Sequence, residues 1–464
     1  MKLKLYNTLT RKVDEFKPVQ PGKAGIYSCG PTVYWNQHIG HMYAYVQWDV
    51  LVRLLRFLDY QVQWVMNITD VGHLTSDEDA GEDKMEVGAK REGVSVWEIA
   101  DKYIDQFVES LDLLNIQRPD VLARATEHIE EQINLIKKIE GSGFTYQTKM
   151  GIVLDTSKFP DYAKFGRLKL EKQRVGDRQE VDPEKKAPWD FYLWVTGRPE
   201  HVMQWESPWG RGFPGWHLEC TAMSTKYLGE QFDIHTGGQE HILVHHTNEI
   251  AQAYAAFGQQ TANYWLHNGW LTLKGEKMSK SLGNVVTAQG VVEKDYNPLV
   301  LRYLILTSHY RKGLVFDWKA LDAAGTAYEK LVQLIRDGQE EGKRGEKKNP
   351  ARGKQLREEF VGKLSDDLNI PEGLAVLWEA VKDKELSDSE KKDLVLEFDR
   401  VLGLGLAEVK PIKISPQIKK LAAKREKLRK QEKWQEADKI RVQIEKEGFR
   451  IEDTELGAKI VAVG

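Results

Sequence analysis

The chain has 464 residues, of which 41% are hydrophobic and 30% are charged, and its formal net charge is -3. This composition excludes a long disordered chain, and the length exceeds the ~250–300 residues at which single cores stop growing, so we expect one large domain with smaller ones appended. No stretch approaches the ~20 apolar residues needed to cross a bilayer and the N-terminus lacks an apolar signal core, which predicts a cytoplasmic protein without membrane contact.

The first predicted elements are a strand, a helix and a second strand. Residues 25–29 form the apolar run of a short buried strand, residues 41–60 have helical apolar spacing, and residues 61–69 again favour a strand. Two strands joined in this way form a right-handed parallel crossover, and such sheets bind ligands at the carboxyl ends of their strands. Cys29 and Thr69 lie at those predicted ends.

The residue pattern of the chain changes at about residue 126 and again at about residue 213. Residues 126–212 combine a predicted helix with polar stretches interrupted by glycine and proline, which indicates an inserted subdomain. Regular patterning then resumes, and it predicts the second half of a doubly wound sheet. The predicted elements of that half are helix 216–228, strand 232–236, helix 245–257 and strand 264–273.

Strand signals disappear after about Pro298, and a helical region followed by a basic segment is predicted there. Amphipathic segments favour a helical bundle, with an exposed connector at residues 338–353. These segments are 299–308, 320–337, 353–368 and 373–404. The basic segment 417–446 carries eleven Lys and Arg against five Asp and Glu. It suits contact with nucleic acid, and the competing interpretation is a charged, solvated helix.

The turn between the first predicted strand and helix holds two histidines, in the sequence His38-Ile39-Gly40-His41. Backbone N–H groups and the helix dipole favour a phosphate at such a turn, and Gly40 lets a ligand approach the backbone closely. The four letters alone are weak evidence, because two ordinary turn histidines would give the same pattern.

A second motif, Lys277-Met278-Ser279-Lys280-Ser281, follows the last predicted strand in a glycine-flanked loop. Both lysines can reach a phosphate, whereas a solvated basic loop would not explain the embedded methionine and the paired serines. Together the HIGH and KMSKS motifs resemble the ATP-binding signatures of class I aminoacyl-tRNA synthetases.

Four candidate metal ligands are scattered along the chain. His245 and Glu249 are four residues apart on a predicted helix and share one face, Cys220 lies on the preceding predicted helix, and Cys29 ends the first strand. Two sulfurs, an imidazole and a carboxylate are acceptable tetrahedral Zn²⁺ ligands. Their spacing does not establish a site, because a lone buried cysteine more often packs as a small apolar residue.

Seven segments between Ser28 and Asn284 resemble, in order, the successive blocks of the cysteinyl-tRNA synthetases. They are SCGPTVYWNQHIGH, NITD, SPWGRGFPGWHLEC, FDIHTGGQEH, HHTNEIAQ, NYWLHNGWL and GEKMSKSLGN. The predicted helical region and the basic C-terminal segment are also similar to that family's layout, so the resemblance covers nearly the whole chain.

The resemblance implies roles for individual residues. The residues that match the family's ligands for one zinc ion per chain are Cys29, Cys220, His245 and Glu249. Those that match the ATP site are His38, Gly40, His41, Lys277, Met278, Ser279, Lys280 and Ser281. Within that site the catalytic groups would be His38, His41, Lys277 and Lys280. The positions that line the family's cysteine pocket are occupied here by Thr32, Thr69, Trp216 and His235.

The resemblance also implies a reaction and its partners. L-cysteine would be activated with ATP and Mg²⁺ to cysteinyl-adenylate and then transferred to the terminal adenosine of tRNA(Cys), by an enzyme that acts as a monomer. Zinc would select the substrate thiolate, because coordination deprotonates a thiol far more readily than an alcohol. The final basic segment, with Trp434 and Phe449, would bind the anticodon through phosphate attraction and base stacking.

The predicted fold class is α/β: a doubly wound, Rossmann-like parallel-sheet catalytic domain with an inserted subdomain, then a helical bundle and a small basic C-terminal domain. The predicted division is 1–125 and 213–265 for the two halves of the catalytic domain, 126–212 for the insertion, 266–297 for the KMSKS-containing connective region, 298–410 for the bundle and 411–464 for the anticodon-binding domain.

Two other functions remain open at this stage. A cysteine ligase that acts on a small amino sugar would make the same adenylate, although it would not need the helical region and the basic tail. A catalytically silent RNA-binding protein built on this fold could retain both motifs. Cysteine-dependent ATP–pyrophosphate exchange and an acceptor assay distinguish the three.

Overall fold

The computed structural model describes residues 2–72, 83–168, 182–273, 276–277, 285–337, 349–410, 415–454 and 457–462. Within these ranges no helix is both long and apolar enough to span a membrane. The described chain begins with an antiparallel hairpin of β1 (Lys4–Asn7) and β2 (Lys12–Glu15).

The central sheet consists of β3 (Lys23–Ser28), β4 (Gln61–Ile68), β5 (Val121–Arg124), β10 (Phe232–Gly238) and β11 (Ala262–Asn268). Neighbouring strands are parallel throughout, and their order is β11-β10-β3-β4-β5. The chain runs outwards from β3 on one side and from β10 on the other, which confirms the predicted doubly wound α/β class. The order reverses between β3 and β10, where ligands of such sheets bind.

Helices accompany both halves of this sheet. They are α1 (Ile39–Phe57), α2 (Lys84–Glu92), α3 (Val96–Leu113), α4 (Ile129–Gly141), α6 (Trp216–Leu228) and α7 (His245–Phe257). The bounds of α6 and α7 agree with the predicted helices. α1 buries its apolar stripe, including Trp48, and each such side chain contributes roughly 1.5–3 kcal/mol of hydrophobic stabilisation. α7 ends at Gly258, whose left-handed φ of 72° suits glycine.

The inserted region contains an antiparallel sheet that the sequence did not predict. Its elements are β6 (Thr145–Thr148), β7 (Gly151–Leu154), α5 (Tyr162–Gly166), β8 (Phe191–Val195) and β9 (Phe213–Pro214). All residues of β8 are buried. The strands have only two to five residues, and β7 and β8 are separated by a long stretch of chain. No local sequence pattern therefore predicts this sheet.

The predicted strand 264–273 is wrong as a single element. The chain leaves the central sheet after Asn268, and β12 (Leu271–Leu273) joins another sheet with β13 (Glu276–Lys277) and β14 (Leu314–Phe316). Gly269 marks the break: its N–H donates to the Tyr310 carbonyl, and a Cβ there would lie 2.7 Å from the Gly313 nitrogen. β14 also contradicts the expectation that strands cease after Pro298.

The predicted helical region consists of α8 (Ala288–Val292), α9 (Pro298–Leu306), α10 (Trp318–Asp337), α11 (Pro350–Leu364), α12 (Ile370–Lys382) and α13 (Asp388–Leu402). The predicted segment 373–404 is two helices, because Ser387 and Glu390 form a capping box that starts α13. Buried residues of this region and of α1 belong to one continuous core.

The end of the described chain forms a small unit with a core of its own. Its elements are α14 (Pro416–Lys430), α15 (Trp434–Lys446) and an antiparallel hairpin of β15 (Phe449–Thr454) and β16 (Gly457–Ala462). Ile418, Ile440 and Ile444 are buried in that core, and Phe449 packs against it. The hairpin is a second exception to the expectation that strands cease after Pro298.

Candidate active site and metal centre

A cavity of about 390 Å³ opens at the carboxyl ends of β3 and β10, where the strand order reverses. Its lining residues include Cys29, Thr32, His38, His41, Trp216 and Trp270. Gly237 allows the wall to pack closely, because a Cβ there would lie 2.7 Å from both His241 and His246. The fold thus brings the HIGH motif and one of the two cysteines to a single opening.

The HIGH histidines form the N-terminal cap of α1. The Gly40 N–H donates to His38 Nδ1 over 3.1 Å, and the His38 N–H donates to His41 Nδ1 over 3.2 Å. The centroids of the two rings lie 3.8 Å apart, and their planes are inclined by 31°. Because each Nδ1 accepts a hydrogen bond, each neutral ring carries its proton on Nε2. Both imidazoles are therefore N–H donors at Nε2, at the positive end of a helix beside the cavity.

The described residues on the two sides of the KMSKS motif lie near the cavity and the HIGH turn. On one side Lys277 belongs to β13, which pairs with β12 beside the lining residue Leu271. On the other side the Val286 carbonyl accepts the Ile39 N–H over 2.8 Å. The predicted ATP-site residues Met278, Ser279, Lys280 and Ser281 lie outside the described residues, as does the side chain of Lys277.

The four predicted metal ligands converge from three segments that are remote in sequence. Cys29 follows β3, Cys220 lies on α6, and His245 and Glu249 lie on one face of α7. One ligand atom from each lies within 4.8 Å of the ligand atoms of the other three. His245 Nε2 is 3.0 Å from Glu249 Oε1.

Charge at this cluster is balanced among buried groups. Burial raises the pKa of the Cys29 thiol, and a hydrogen bond to Cys29 together with burial raises the pKa of Cys220 further. Burial alone would lower the pKa of His245, but Cys220 and Glu249 raise it to about 10. Burial alone would raise the pKa of Glu249, whereas His235 and His245 lower it to about 2. The protein alone therefore holds neutral thiols beside an imidazolium–carboxylate pair.

The donor set fits a zinc ion. Glu249 Oε1 is buried and, among the described residues, makes no aligned hydrogen bond, so a ligand-capable oxygen faces the two sulfurs and the imidazole. Sulfur, nitrogen and carboxylate oxygen in a buried tetrad match zinc's preferences. An overlapping set exchanges Cys220 and His245 for His235 and His246. We favour the first set because it brings together both thiols.

The predicted cysteine-pocket residues fall into two pairs. Thr32 and Trp216 line the cavity. Thr69 is buried, and its hydroxyl donates to Glu219 Oε2 over 2.9 Å. His235 is fully buried, and its Nε2 is 2.9 Å from Glu249 Oε2. The first pair can touch a ligand in the cavity, whereas the second pair supports the groups behind it.

Several residues of the site were not predicted from the sequence. Lys84, Glu240 and His241 line the cavity, and His246 Nε2 contacts Cys29 Sγ at 3.2 Å. The clustering of histidines between positions 235 and 246 was the available signal, since buried imidazoles often accompany metal ligands. No local sequence pattern predicts that Lys84 lines the cavity.

Comparison with known proteins identifies relatives along the full chain. Residues 15–326 match the family model of the tRNA synthetases class I (C) catalytic domain. Cysteine–tRNA ligase 1 of Burkholderia lata is 45% identical, over 99% of this chain and 97% of its own length. The cysteine–tRNA ligase of Treponema denticola is 42% identical, over 98% of both chains. That of Thermus thermophilus is 39% identical, over 99% of both.

Solved structures agree on the fold. Methionyl-tRNA synthetase of Mycobacterium tuberculosis, bound by methionyl-adenylate, superposes with a TM-score of 0.59 over 82% of this chain and 90% of its own, at 16% identity. The likeness extends to the class I architecture and no further. With the family model and the full-length relatives, it leads to one conclusion: the chain belongs to the cysteine–tRNA ligase family of the class I aminoacyl-tRNA synthetases.

Proposed function

We propose that this enzyme activates L-cysteine with ATP and transfers it to tRNA(Cys), acting in the cytoplasm as a monomer. The observation that carries the proposal is the convergence of the HIGH turn and a two-thiol cluster on one cavity at the switch point of the sheet. In the first step a cysteine carboxylate oxygen attacks the α-phosphorus of ATP and pyrophosphate leaves. In the second a hydroxyl of the terminal adenosine attacks the adenylate carbonyl and AMP leaves.

The HIGH and KMSKS residues would stabilise the charge that develops on the phosphates. His38 and His41 use Nδ1 within the cap of α1, which orients each Nε2–H as a donor beside the cavity. Donors fixed in this way need no reorganisation when the transition state forms. Lys277 and Lys280 would hold the leaving pyrophosphate together with Mg²⁺, and the pairing of the motif's two flanks with β12 and with the HIGH turn supports that placement.

Selection of cysteine over serine would depend on the tetrad Cys29, Cys220, His245 and Glu249. A zinc ion bound there supplies a soft Lewis acid that prefers a thiolate to an alcohol. Pocket shape alone separates two such small substrates by only about 1–3 kcal/mol. Thr32 and Trp216 would position the amino acid in the cavity, and Thr69 and His235 would hold the wall behind it.

The small C-terminal unit would contact the anticodon region of the tRNA. Trp434 is 54% exposed, and the Arg429 guanidinium lies 5.5 Å from the centre of its ring. An exposed indole beside cationic side chains suits base stacking and phosphate attraction. Phe449 packs on the core of this unit, so Trp434 is the stronger stacking candidate.

The activity is tested by cysteine-dependent ATP–pyrophosphate exchange, followed by an acceptor assay. We expect exchange with cysteine but not with serine, and charging of a tRNA(Cys) transcript but not of glucosamine-type amines. Absence of exchange would favour a silent RNA-binding protein, and charging of the amine alone would favour the small-acceptor ligase.

The metal-dependent selection is tested with Cys220→Ser. Its matched control is Thr221→Ser, because Thr221 is the next residue on α6, is equally buried and keeps its hydroxyl. We expect Cys220→Ser to lose zinc and its preference for cysteine, and the control to keep both. Survival of both properties in Cys220→Ser would refute the proposed role.

A further inference from the structure

A second cluster of metal-binding residue types lies beside the active-site cavity. Asp83 precedes α2, Glu86 lies in its first turn, and His201 comes from the segment that follows β8. One ligand atom from each lies within 4.8 Å of the other two. We propose that these three side chains form a structural site for a second divalent transition-metal ion, independent of the Cys29 cluster.

The Asp83 carboxylate divides its oxygens between two tasks. Oδ1 accepts the N–H groups of Met85 and Glu86 over 2.6 and 2.9 Å and so caps α2. Oδ2 is buried and, within the part of the chain that the structure describes, has no aligned hydrogen bond. A Cβ on Gly72 would lie 1.8 Å from Oδ2, so the carboxylate rests directly on the Gly72 backbone. Its orientation is therefore fixed.

His201 is held in the orientation of a metal ligand. Its Nδ1 donates to the Met203 carbonyl over 3.0 Å, and its ring stacks on Phe213 with centroids 3.9 Å apart and planes 14° apart. A Nδ1–H bond to a backbone carbonyl leaves the lone pair on Nε2, as in many metal-bound histidines. The residue is 6% exposed, so water does not satisfy that nitrogen.

A bound cation would explain the close contact between Asp83 and His201. His201 Nε2 is 2.5 Å from Asp83 Oδ2, yet neither atom has an aligned hydrogen bond among the described residues. Two buried lone pairs at this separation repel, and an uncompensated buried carboxylate is costly. If Nε2 carried a proton, its N–H bond would have to point at Asp83 Oδ2, and the ring is not oriented that way. Two atoms that bind one zinc ion at about 2.0–2.2 Å lie roughly 3 Å or more apart, so an ion shared by both atoms would widen this contact and remove the conflict.

Glu86 completes a donor set suited to zinc or manganese. Its Oε1 accepts the Val202 N–H over 2.9 Å, which holds this carboxylate beside the segment that carries His201. One imidazole nitrogen and two carboxylate oxygens suit Zn²⁺ and Mn²⁺ better than Mg²⁺, which favours oxygen alone. Two negative charges and a neutral imidazole also balance a divalent ion.

The expected role of this site is to hold one wall of the cavity. Lys84, the residue after Asp83, lines the cavity, and its ammonium lies 5.1 Å from the centre of the Trp216 ring. An ion bound by Asp83, Glu86 and His201 would tie the start of α2 to the chain between β8 and α6. It would thereby fix Lys84 against the cysteine pocket.

The test measures bound metal in the full-length enzyme, by elemental analysis after equilibrium dialysis against buffered Zn²⁺. We expect Glu86→Gln and His201→Ala each to bind one ion fewer than the wild type. Glu86→Gln keeps the acceptor for the Val202 N–H, so its fold should be unaffected. His128→Gln is the control, because this buried histidine bonds to the Arg124 carbonyl and the Tyr227 hydroxyl, away from both clusters.

Cys220→Ser separates this site from the proposed zinc centre. Added Zn²⁺ should still raise the melting temperature of Cys220→Ser, because binding to the folded state stabilises it, and should no longer do so once Glu86→Gln is added. Loss of metal in Cys220→Ser alone concerns the first centre only. Wild-type metal content in both Glu86→Gln and His201→Ala would overturn the proposal and leave Asp83 and His201 as an ion pair only.

Discussion

In each HIGH histidine one ring nitrogen caps α1, and the other is the proposed phosphate donor. In His41, Nδ1 accepts the His38 N–H and completes the capping box of α1, while Nε2 carries the proton. These tasks can be separated by substitution, because the asparagine side-chain oxygen takes the place of Nδ1 and the glutamine side-chain nitrogen takes the place of Nε2.

His41→Asn and His41→Gln should therefore differ in exchange rate more than in stability. His41→Asn keeps the cap acceptor and loses the phosphate donor, so we expect near wild-type stability and an exchange rate lower by ~10²-fold. His41→Gln keeps a donor, and a glutamine at this third helical position can itself accept the cap N–H, so we expect a smaller loss of rate and a stability within ~1 kcal/mol of the wild type. Urea unfolding and ATP–pyrophosphate exchange measure the two effects. Equal rates in the two variants would contradict the assignment.

The protonation of the tetrad predicts how zinc binding depends on pH. In the protein alone burial raises the pKa of Cys29, the hydrogen bond to Cys29 and burial raise the pKa of Cys220, and the pKa of His245 is raised to about 10. Zinc requires thiolates and a neutral imidazole, so binding should release about three protons, one from each of these groups. Affinity should then fall steeply as the pH is lowered.

Calorimetric titration of the chelator-treated enzyme with Zn²⁺ checks this expectation in buffers of different ionisation enthalpy. The apparent binding enthalpy should vary with the buffer, and the variation should be smaller in Cys220→Ser, which lacks one of the thiols. A binding enthalpy that does not depend on the buffer would contradict the protonation states.

The sequence predicted some residues of the site and missed others, for physical reasons. Cys29 and Cys220 are the only cysteines of the chain, and His245 and Glu249 share a helix face, so residue type made them candidates, and the resemblance to the cysteinyl-tRNA synthetases assigned them as ligands. Lys84 reaches the cavity only because α2 packs against the wall, and packing at that range leaves no local pattern.

At the scale of elements, a buried ion pair connects the HIGH helix to the helical region. Asp49 of α1 and Arg302 of α9 are both fully buried, with Arg302 Nη2 2.5 Å from Asp49 Oδ2. Arg302 also donates to the carbonyls of Leu114 and Leu402. The guanidinium thus joins α1, the end of α3 and the end of α13 around one charge.

Removing one partner of this pair should be far more costly than removing both. Asp49→Ala leaves the buried Arg302, and Arg53, whose Nε lies 2.8 Å from the same carboxylate, without their partner, so we expect a loss of about 3–5 kcal/mol in unfolding free energy. Asp49→Ala combined with Arg302→Met should lose less. Urea unfolding monitored by tryptophan fluorescence measures both variants.

Glu372→Ala provides the control for this prediction. It removes an exposed pair, in which Lys363 and Glu372 are 48% and 52% exposed, and such pairs contribute little. A double variant that is less stable than Asp49→Ala would show that the arginine stabilises the protein without its partner.

The elements that were predicted correctly are those whose signals are local. α6 and α7 have helical apolar spacing and end at Gly229 and Gly258, so their bounds follow from the sequence. The break at Gly269 depends on pairing between β12 and β14, more than forty residues apart. The antiparallel sheet of the insertion likewise depends on distant pairing, which periodicity does not report.

At the scale of the whole molecule, the proposed function places chemistry and tRNA recognition in different parts of the chain. The cavity lies in the parallel-sheet domain, whereas the C-terminal unit packs its elements around an apolar core of its own. A unit with its own core can be removed without exposing the core of the catalytic domain. The two steps of the reaction should therefore respond differently to its loss.

Truncation after Lys410 should spare cysteine-dependent exchange and raise the KM for tRNA(Cys) in aminoacylation, because the basic residues and the exposed indole are lost together. Trp434→Ala in the full chain isolates the stacking contribution, about 1–3 kcal/mol per stacked base, or roughly 5- to 150-fold in KM. Trp97→Ala is its control, since Trp97 is 45% exposed on α3. If Trp434→Ala and Trp97→Ala change the KM for tRNA(Cys) equally, the exposed indole of α15 does not contribute to tRNA binding. If truncation abolishes exchange as well, the C-terminal unit is not separable from the catalytic domain.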